Sequence, residues 1–377
     1  VGFRATRSAI GAAAVLLGAA AYAQTPAAPE RPQLAEEVFK NVQILRGIPV
    51  KEFMGTMGMF SASTGLNCIE CHVEDAGGDW GRYADDTDLK RTARRMMTMV
   101  TSLNKSMFGG RQAVTCFSCH RGLNRPRVVP DLTIQYGDAI ILEPDEITAQ
   151  APGEPTPDQL FDKYIQAIGG AARVAALTSY TAKGTYQGFD DLDKHPAEIY
   201  ASAPGRRTTI VHGQFGDSRW TFDGRNGWVA QPRVTAPVPV LPLTSGDLAG
   251  ARVEAEVAFP ARIKQILTDW RVGNPAIVGD KELHVVQGRA GAGTPPVKLY
   301  FDPASGLLVR LVYFNDTPVG RIPTQIDYED YRDVAGVKLP FKWTTTWTDG
   351  RSVIELESVQ PNVAIDARRF AKPDPPA

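Results

Sequence analysis

Two short stretches, "GLNCIECHVE" over residues 65–74 and "AVTCFSCHRG" over residues 113–122, hold all four cysteines of the 377-residue chain. Cys68 and Cys71 are followed at once by His72, and Cys116 and Cys119 by His120. A repeated C-x-x-C-H block is the attachment signature of a c-type haem, in which each thiol adds across a haem vinyl group and the imidazole binds the iron. The histidine has to follow directly, because the short helical turn that carries the second thioether also aims the ring at the metal. Three other uses of the cysteines fit less well. A thioredoxin-like pair wants a βαβ setting, whereas these lie in a helical, Met-rich neighbourhood. A closed zinc site would join pairs separated by 44 residues and leave two histidines too many. Disulfides give no reason for a histidine at the same offset twice. The expectation is two covalently bound haem c groups, held by Cys68, Cys71, Cys116 and Cys119, with His72 and His120 as iron ligands.

Haem attachment of this kind belongs outside the cytoplasm, and the start of the chain agrees. Arg4 and Arg7 precede the apolar run "AIGAAAVLLGAAAYA", with small residues at Ala21 and Ala23. That pattern predicts a Sec-type signal peptide over 1–23, cleaved after Ala23, and a periplasmic protein that is soluble or peripherally membrane-associated. The run is short for a membrane span, and no cysteine stands at the cleavage point to carry a lipid.

Composition divides the remainder. A Pro-rich linker over 24–33 precedes a helical, cysteine-bearing haem domain over 34–128. A second linker over 129–156, closing with "APGEPTP", leads to a β-rich domain over 157–377 without cysteine. With 41 basic against 42 acidic residues, the balance favours no polyanionic partner, and no nucleic acid is expected. Charge is unevenly spread near the haem blocks. Lys90 to Arg127 holds nine basic residues and no acid, while Glu70 to Asp88 holds seven acids and one Arg. Part of the basic run is expected to neutralise haem propionates and part to steer an acidic redox partner.

Each haem block follows a helix and a glycine-containing turn, 48 residues apart. The first helix begins at "IPVKEFMGTMGMF", with Pro49 at an early position. The second runs from about Thr87 to Met107, with Thr87 as N-cap, Asp88 in its first turn and apolar residues at helical spacing. All seven methionines lie between Met54 and Met107. A thioether opposite the imidazole raises the potential of an electron-carrying haem, so some of them are candidate sixth ligands and the rest are core fillers. Spacing leaves the choice open, since Met54 shares a helix face with Met57, and Met96 with Met99.

The segments "NVQILRGIPVKEFMGTMGMFSASTGLNCIECH", "YADDTDLKRTARRMMTMVTSLN" and "VTCFSCHRG" resemble the cytochrome c subunit of photosynthetic reaction centres, over about 95 of 377 residues. In that family each haem sits beside a helix that donates a methionine. Its first such helix ends in an aromatic, as at Met54 and Phe60, and its second carries "ARRM", as at Ala93 to Met96. The resemblance therefore selects Met54 and Met96 as sixth ligands, with Met57 and Met99 as fallbacks. Members typically carry four haems and often a lipidated N-terminus, whereas this chain has attachment blocks for two.

The second domain opens with "TPDQLFDKYIQAIGG", a helix capped by Thr156 with Pro157 at its first position. Ten strand-like runs follow, from "YTAKGTYQGF" to "SVIELESVQ", with "DPASG" reading as a hairpin turn and a helical patch expected at "AFPARIKQILTDW". The fold class expected for the chain is thus multidomain: a mainly α-helical dihaem c-type cytochrome domain, then an α+β domain with a curved, half-barrel-like antiparallel sheet and helices on one side. The phrases "LYFDPASGLLVRL" and "DYRDVAGVKLPF" loosely resemble the periplasmic lipoprotein-carrier family, which implies a lipid ligand for this domain. No Ser-His-Asp spacing, phosphate loop or metal cluster is seen there.

Taken together, these readings predict an electron carrier rather than an enzyme, exchanging single electrons with a redox donor and acceptor, a membrane-bound complex being one candidate. Two rivals differ in class. A peroxidase- or reductase-type dihaem enzyme needs one open iron, and a lipid- or lipoprotein-binding protein would use the haem domain as a redox sensor.

Overall fold

The computed structural model describes residues 31–73, 79–135, 145–188 and 192–376. The expected signal peptide, most of the first linker and the middle of the second lie outside the described residues. Among the described residues, no helix is long and apolar enough to cross a membrane.

Period-2 alternation builds the larger part of the molecule. Strands β1 (Ser179–Gln187), β2 (His195–Ser202), β3 (Arg206–Gly213), β4 (Gly216–Phe222), β5 (Gly227–Ala230) and β6 (Val240–Pro242) form one antiparallel meander. Strands β7 (Thr268–Val272), β8 (Ala276–Val278), β9 (Lys281–Arg289), β10 (Pro296–Phe301), β11 (Leu308–Thr317), β12 (Gly320–Val334), β13 (Val337–Trp347) and β14 (Gly350–Pro361) form another. The two meanders join where β1 pairs with β14, from Tyr180 opposite Pro361 to Gln187 opposite Val353. The result is one large curved, unclosed sheet in the order β6-β5-β4-β3-β2-β1-β14-β13-β12-β11-β10-β9-β7, with β8 on β9.

Alternation also sorts the core. Leu299 and Leu311 enter the main cluster with Phe161, Tyr164, Val253 and Val257, whereas their neighbours Tyr300 and Val312 join Leu283 and Val285 in a second cluster. The helices Pro157–Ala167 and Ser245–Val257 therefore cover the same face, as expected. In chain order the helices are α1 (Ala35–Val38), α2 (Val50–Thr64), α3 (Cys68–Cys71), α4 (Asp88–Met107), α5 (Cys116–His120), α6 (Leu132–Gln135), α7 (Pro157–Ala167), α8 (Ala171–Ala176) and α9 (Ser245–Val257). The Thr156 cap on α7 is present, its hydroxyl accepting from the Gln159 amide while the Gln159 side chain accepts from the Thr156 amide.

Three local expectations change. Pro49 caps α2 from outside the helix rather than standing within it. The patch "AFPARIKQILTDW" is a 3₁₀ turn over Pro260–Gln265 that runs into β7, and the longer helix of this region is α9, just upstream. Alpha-9 is rich in Gly and Ala, so its apolar stripe is weak in the sequence, and its helical state comes from burial of Val253 and Ala255. The described end of the second linker is held along the sheet: Gln287 exchanges hydrogen bonds with Thr148, Gln150 accepts from the Val272 amide, and the Glu154 carboxylate lies 2.6 Å from His284 Nδ1.

Helix α2 lies close against the β11–β12 end of the sheet and the turn after β13. A β-carbon at Gly58 would sit 2.6 Å from Thr348 Oγ1 and 3.1 Å from Asp349 Oδ1. Lys51 pairs with Asp247 at 3.5 Å, and Gln112 Nε2 donates to the Thr317 carbonyl at 2.9 Å. Replacing Gly58 by Val is expected to wedge α2 off the sheet at a cost of about 1–3 kcal/mol, read as a lowered denaturant midpoint.

Candidate haem-attachment sites

Both cysteine blocks fold by the same local device. In α3, the Asn67 side chain accepts from the Glu70 amide at 3.2 Å, and the Glu70 carboxylate accepts from the Asn67 amide at 2.7 Å. In α5, the Thr115 hydroxyl accepts from the Ser118 amide at 3.4 Å, and Ser118 Oγ accepts from the Thr115 amide at 3.0 Å. These reciprocal caps let helices of four and five residues exist at all, since so short a turn has almost no hydrogen bonds of its own.

The two histidines are held alike. His72 Nδ1 lies 3.0 Å from the Tyr83 carbonyl and His120 Nδ1 lies 2.9 Å from the Leu123 carbonyl. A carbonyl can only accept, so Nδ1 carries the proton in each bond and Nε2 keeps its lone pair for a metal. Burial, aided by the Lys90 ammonium, pushes the His72 pKa below its ordinary value against the opposing Tyr83 bond, favouring the neutral ligand form. Tyr83 also stands 4.9 Å from the His72 ring, centroid to centroid, and stacks on Trp80.

None of the four cysteines is paired in a disulfide, and no group of three or more His, Cys, Asp or Glu gathers a metal among the described residues. Burial raises the thiol pKa of Cys71 and Cys116, the opposite of the depressed value that a redox-active C-x-x-C requires. The donor set fits a haem c at each block: two thiols on one helical turn and an imidazole with its outer nitrogen already satisfied.

The blocks are also tied to the Met-bearing helices. Helix α2 ends at Gly65, in the left-handed region at φ 71°, where a side chain would meet the Gly122 carbonyl oxygen at 2.5 Å. The Gly122 amide donates to the Ser63 carbonyl at 2.8 Å, so the chain leaving α5 is stitched to the end of α2. The N-cap of α4, Thr87, donates its hydroxyl to the Cys71 carbonyl at 2.6 Å.

Packing distributes the methionines. Met59 and Met97 are buried in one cluster with Leu45, Cys116 and Val319, as core fillers. Met57 packs on that cluster from its edge, while Met54 lines a cavity between α2 and the sheet. Met96 is half-buried; Met99 and Met107 are exposed. The basic run is partly committed. Lys90 Nζ donates to the carbonyls of Tyr83 and Asp85, Arg94 pairs with Asp86 at 2.8 Å, and Arg127 pairs with Asp131. Arg95, Lys105, Arg111, Arg121 and Arg125 make no ion pair among the described residues.

One positioning residue escaped the sequence reading. Asn104 is buried in α4, and its carboxamide donates to the Val114 carbonyl at 2.7 Å and accepts from the amides of Ala113 and Val114. Those three bonds hold the approach to α5. Its signal was a polar residue in the apolar stripe of Met97 and Val100. Asn104→Ala is expected to cost about 3 kcal/mol through unsatisfied backbone groups and to lower haem loading at the second block only. Asn104→Asp, which keeps the accepted bonds, should fall between, with loading read by peptide mass spectrometry.

Comparisons with known proteins agree with the motif reading. Residues 10–134 match the photosynthetic reaction centre cytochrome c subunit family. The photosynthetic reaction center cytochrome c subunit of Thermochromatium tepidum is 36% identical over 106 residues, covering 27% of this chain and 25% of its own length. That of Roseobacter denitrificans is 32% identical over 114 residues, covering 28% and 30%. The chain thus spans roughly a quarter to a third of the length of these relatives. A LolA superfamily protein of Nitrosomonas europaea aligns with 58% of this chain and 99% of its own at 11% identity and a TM-score of 0.40. The N-terminal third of the chain, with both C-x-x-C-H blocks inside the matched region, is similar to the photosynthetic reaction centre cytochrome c subunit.

Proposed function

We propose that the chain is a periplasmic dihaem cytochrome c that relays single electrons. The observation that carries this reading is the duplicated donor set: at each C-x-x-C-H block, a capped helical turn presents two thiols beside an imidazole whose Nδ1 is fixed on a backbone carbonyl. Cys68 and Cys71 would hold one haem and Cys116 and Cys119 the other, with His72 and His120 as ligands. Met54 and Met96 are the proposed sixth ligands, and Met57 and Met99 the alternatives on the same helices. A haem so ligated supplies a one-electron couple. The chain's own contribution is to hold each imidazole in one orientation, so that the ligand set need not rearrange as an electron arrives or leaves. The family similarity supports electron carriage and redox partners in a membrane complex.

The deciding measurement is haem counted per purified, matured chain, with optical spectra in both oxidation states. Two haems with the weak far-red ferric band of iron–thioether ligation are expected. A high-spin fraction that binds carbon monoxide or peroxide would give the lead to a peroxidase or reductase. Met54→Ala and Met96→Ala should each lower one of the two potentials, by on the order of 0.1 V within the roughly 0.8 V that axial ligation spans. An effect in Met57→Ala or Met99→Ala instead would move the assignment to that residue.

The uncommitted cations Arg95, Lys105, Arg111, Arg121 and Arg125 suit an acidic redox partner. Electron delivery to such a partner should slow as salt shortens the Debye length from about 30 Å at 0.01 M to about 8 Å at 0.15 M, and stopped-flow rates against ionic strength check it.

A further inference from the structure

The helices do not fill the face of the sheet on which they pack. Between α2, α9 and the strands lies a cavity of about 490 Å³, inside the range of roughly 300–1,000 Å³ that holds small molecules. Strand register orders its wall. Tyr186 of β1 lies opposite Ile354 of β14, and Ile354 lies opposite Trp343 of β13, so three large side chains stand in a row across neighbouring strands. Trp220 stacks on Tyr186 at 6.2 Å between centroids and extends the row.

Most charges that border this cavity are already answered. Lys51 pairs with Asp247, Asp316 is held by Arg321 at 2.7 Å, and the Arg207 guanidinium lies over the Trp343 ring at 5.3 Å. Two carboxylates differ. Glu52 of α2 and Glu254 of α9 line the cavity, and neither carboxylate has a hydrogen bond or an ion pair among the described residues. Burial raises the pKa of both, Arg207 opposing the rise at Glu254. On its other side Glu254, with Arg207, borders a void of only about 30 Å³ under Tyr180 and Tyr328, room for about one water. A carboxylate in such surroundings is costly unless a positive charge joins it, and aromatic faces attract the same charge. None of the four cysteines and neither motif histidine lines the cavity, but Met54, one of the proposed sixth ligands, does.

We propose that this cavity binds a small organic cation with an apolar body, the body resting on the Tyr186–Ile354–Trp343 row and the charge facing Glu52 and Glu254. The cavity shares Met54 with the electron-relay reading, but Glu52 and Glu254 take no part in that reading, so the proposal is tested through these two acids.

Isothermal titration of the haem-matured full chain with hexyltrimethylammonium tests the assignment, with hexyl sulfate and hexanol as controls of equal chain length. Saturable one-to-one binding of the cation is expected, at least about tenfold tighter than either control, the size of one desolvated cation–π contact plus its counter-charge. Glu254→Gln and, separately, Glu52→Gln should each weaken the cation by roughly fivefold and leave hexanol unchanged. Glu52 is only half-buried on α2, so its variant keeps the test open should Glu254→Gln misfold. Equal binding of hexanol would mean an apolar cavity without charge selection, tighter binding of hexyl sulfate would make Arg207 the anchor, and no binding of any probe would mean no such site. Each of those three results overturns the proposal.

Discussion

Replacing Cys116 and Cys119 together by alanine is expected to leave a chain that carries one covalently bound haem, and the Cys68→Ala, Cys71→Ala pair should leave the other. The two blocks are capped independently, α3 by Asn67 and Glu70 and α5 by Thr115 and Ser118, so the loss of one thiol pair does not unfold the other turn. The coupling runs through packing instead. Cys116 is buried in the cluster with Met59, Met97 and Val319, whereas Cys68 is exposed. The Cys116→Ala, Cys119→Ala variant should therefore also lose stability, by about 1–2 kcal/mol for a buried small apolar side chain that leaves a void, while the Cys68→Ala, Cys71→Ala variant should be nearly neutral before haem loss is counted. Intact-mass spectrometry with haem quantification checks the stoichiometry, and denaturant melts check the asymmetry. A variant with either pair removed that still binds two haems covalently would end the dihaem reading.

The second large effect is expected at Gly246. A β-carbon there would fall 1.8 Å from the Phe314 carbonyl oxygen and 2.7 Å from Asn315 Oδ1. The first is backbone of a central strand and cannot swing aside. Asn315 meanwhile accepts from the Asp247 amide at 2.9 Å and donates to the Asp247 carboxylate at 3.0 Å, clamping the start of α9 on β11. Gly246→Ala should thus cost about 3 kcal/mol, at the upper end of overpacking, and should open the cavity that α9 roofs. Gly293→Ala is the control for the loss of a glycine in itself, because a β-carbon there meets nothing within 4 Å, although its φ of 76° carries a separate backbone cost. A thermal or denaturant melt of both variants measures the difference.

What the sequence determined by itself was chemistry and local structure. The C-x-x-C-H spacing needs only one helical turn to be meaningful, and that turn forms from its own caps. Thr87 and Thr156 mark helix starts because a hydroxyl answers amides two or three residues ahead, a contact wholly encoded nearby. Long alternating runs such as β12 and β13 are likewise visible, since period 2 is a local property.

Tertiary structure decided the features that depend on distant partners. Strands β5 to β8 are short and find their place only through pairing, and α9 is helical because of what covers it rather than because of its own periodicity. The pairing of β1 with β14 joins residues about 170 positions apart, a closure whose entropy cost no local pattern records. Met59 and Met97 became core while Met54 turned to a cavity, although all three are equivalent as sequence. Asn104 reads as an interruption of an apolar stripe until the Val114 backbone is seen beside it. The unpaired acids Glu52 and Glu254 lie some 200 residues apart and come to line one cavity only because α2 and α9 pack over one face of the sheet. In each case the residue type limits what can happen, and the solvent it loses and the neighbour it gains on folding decide what does.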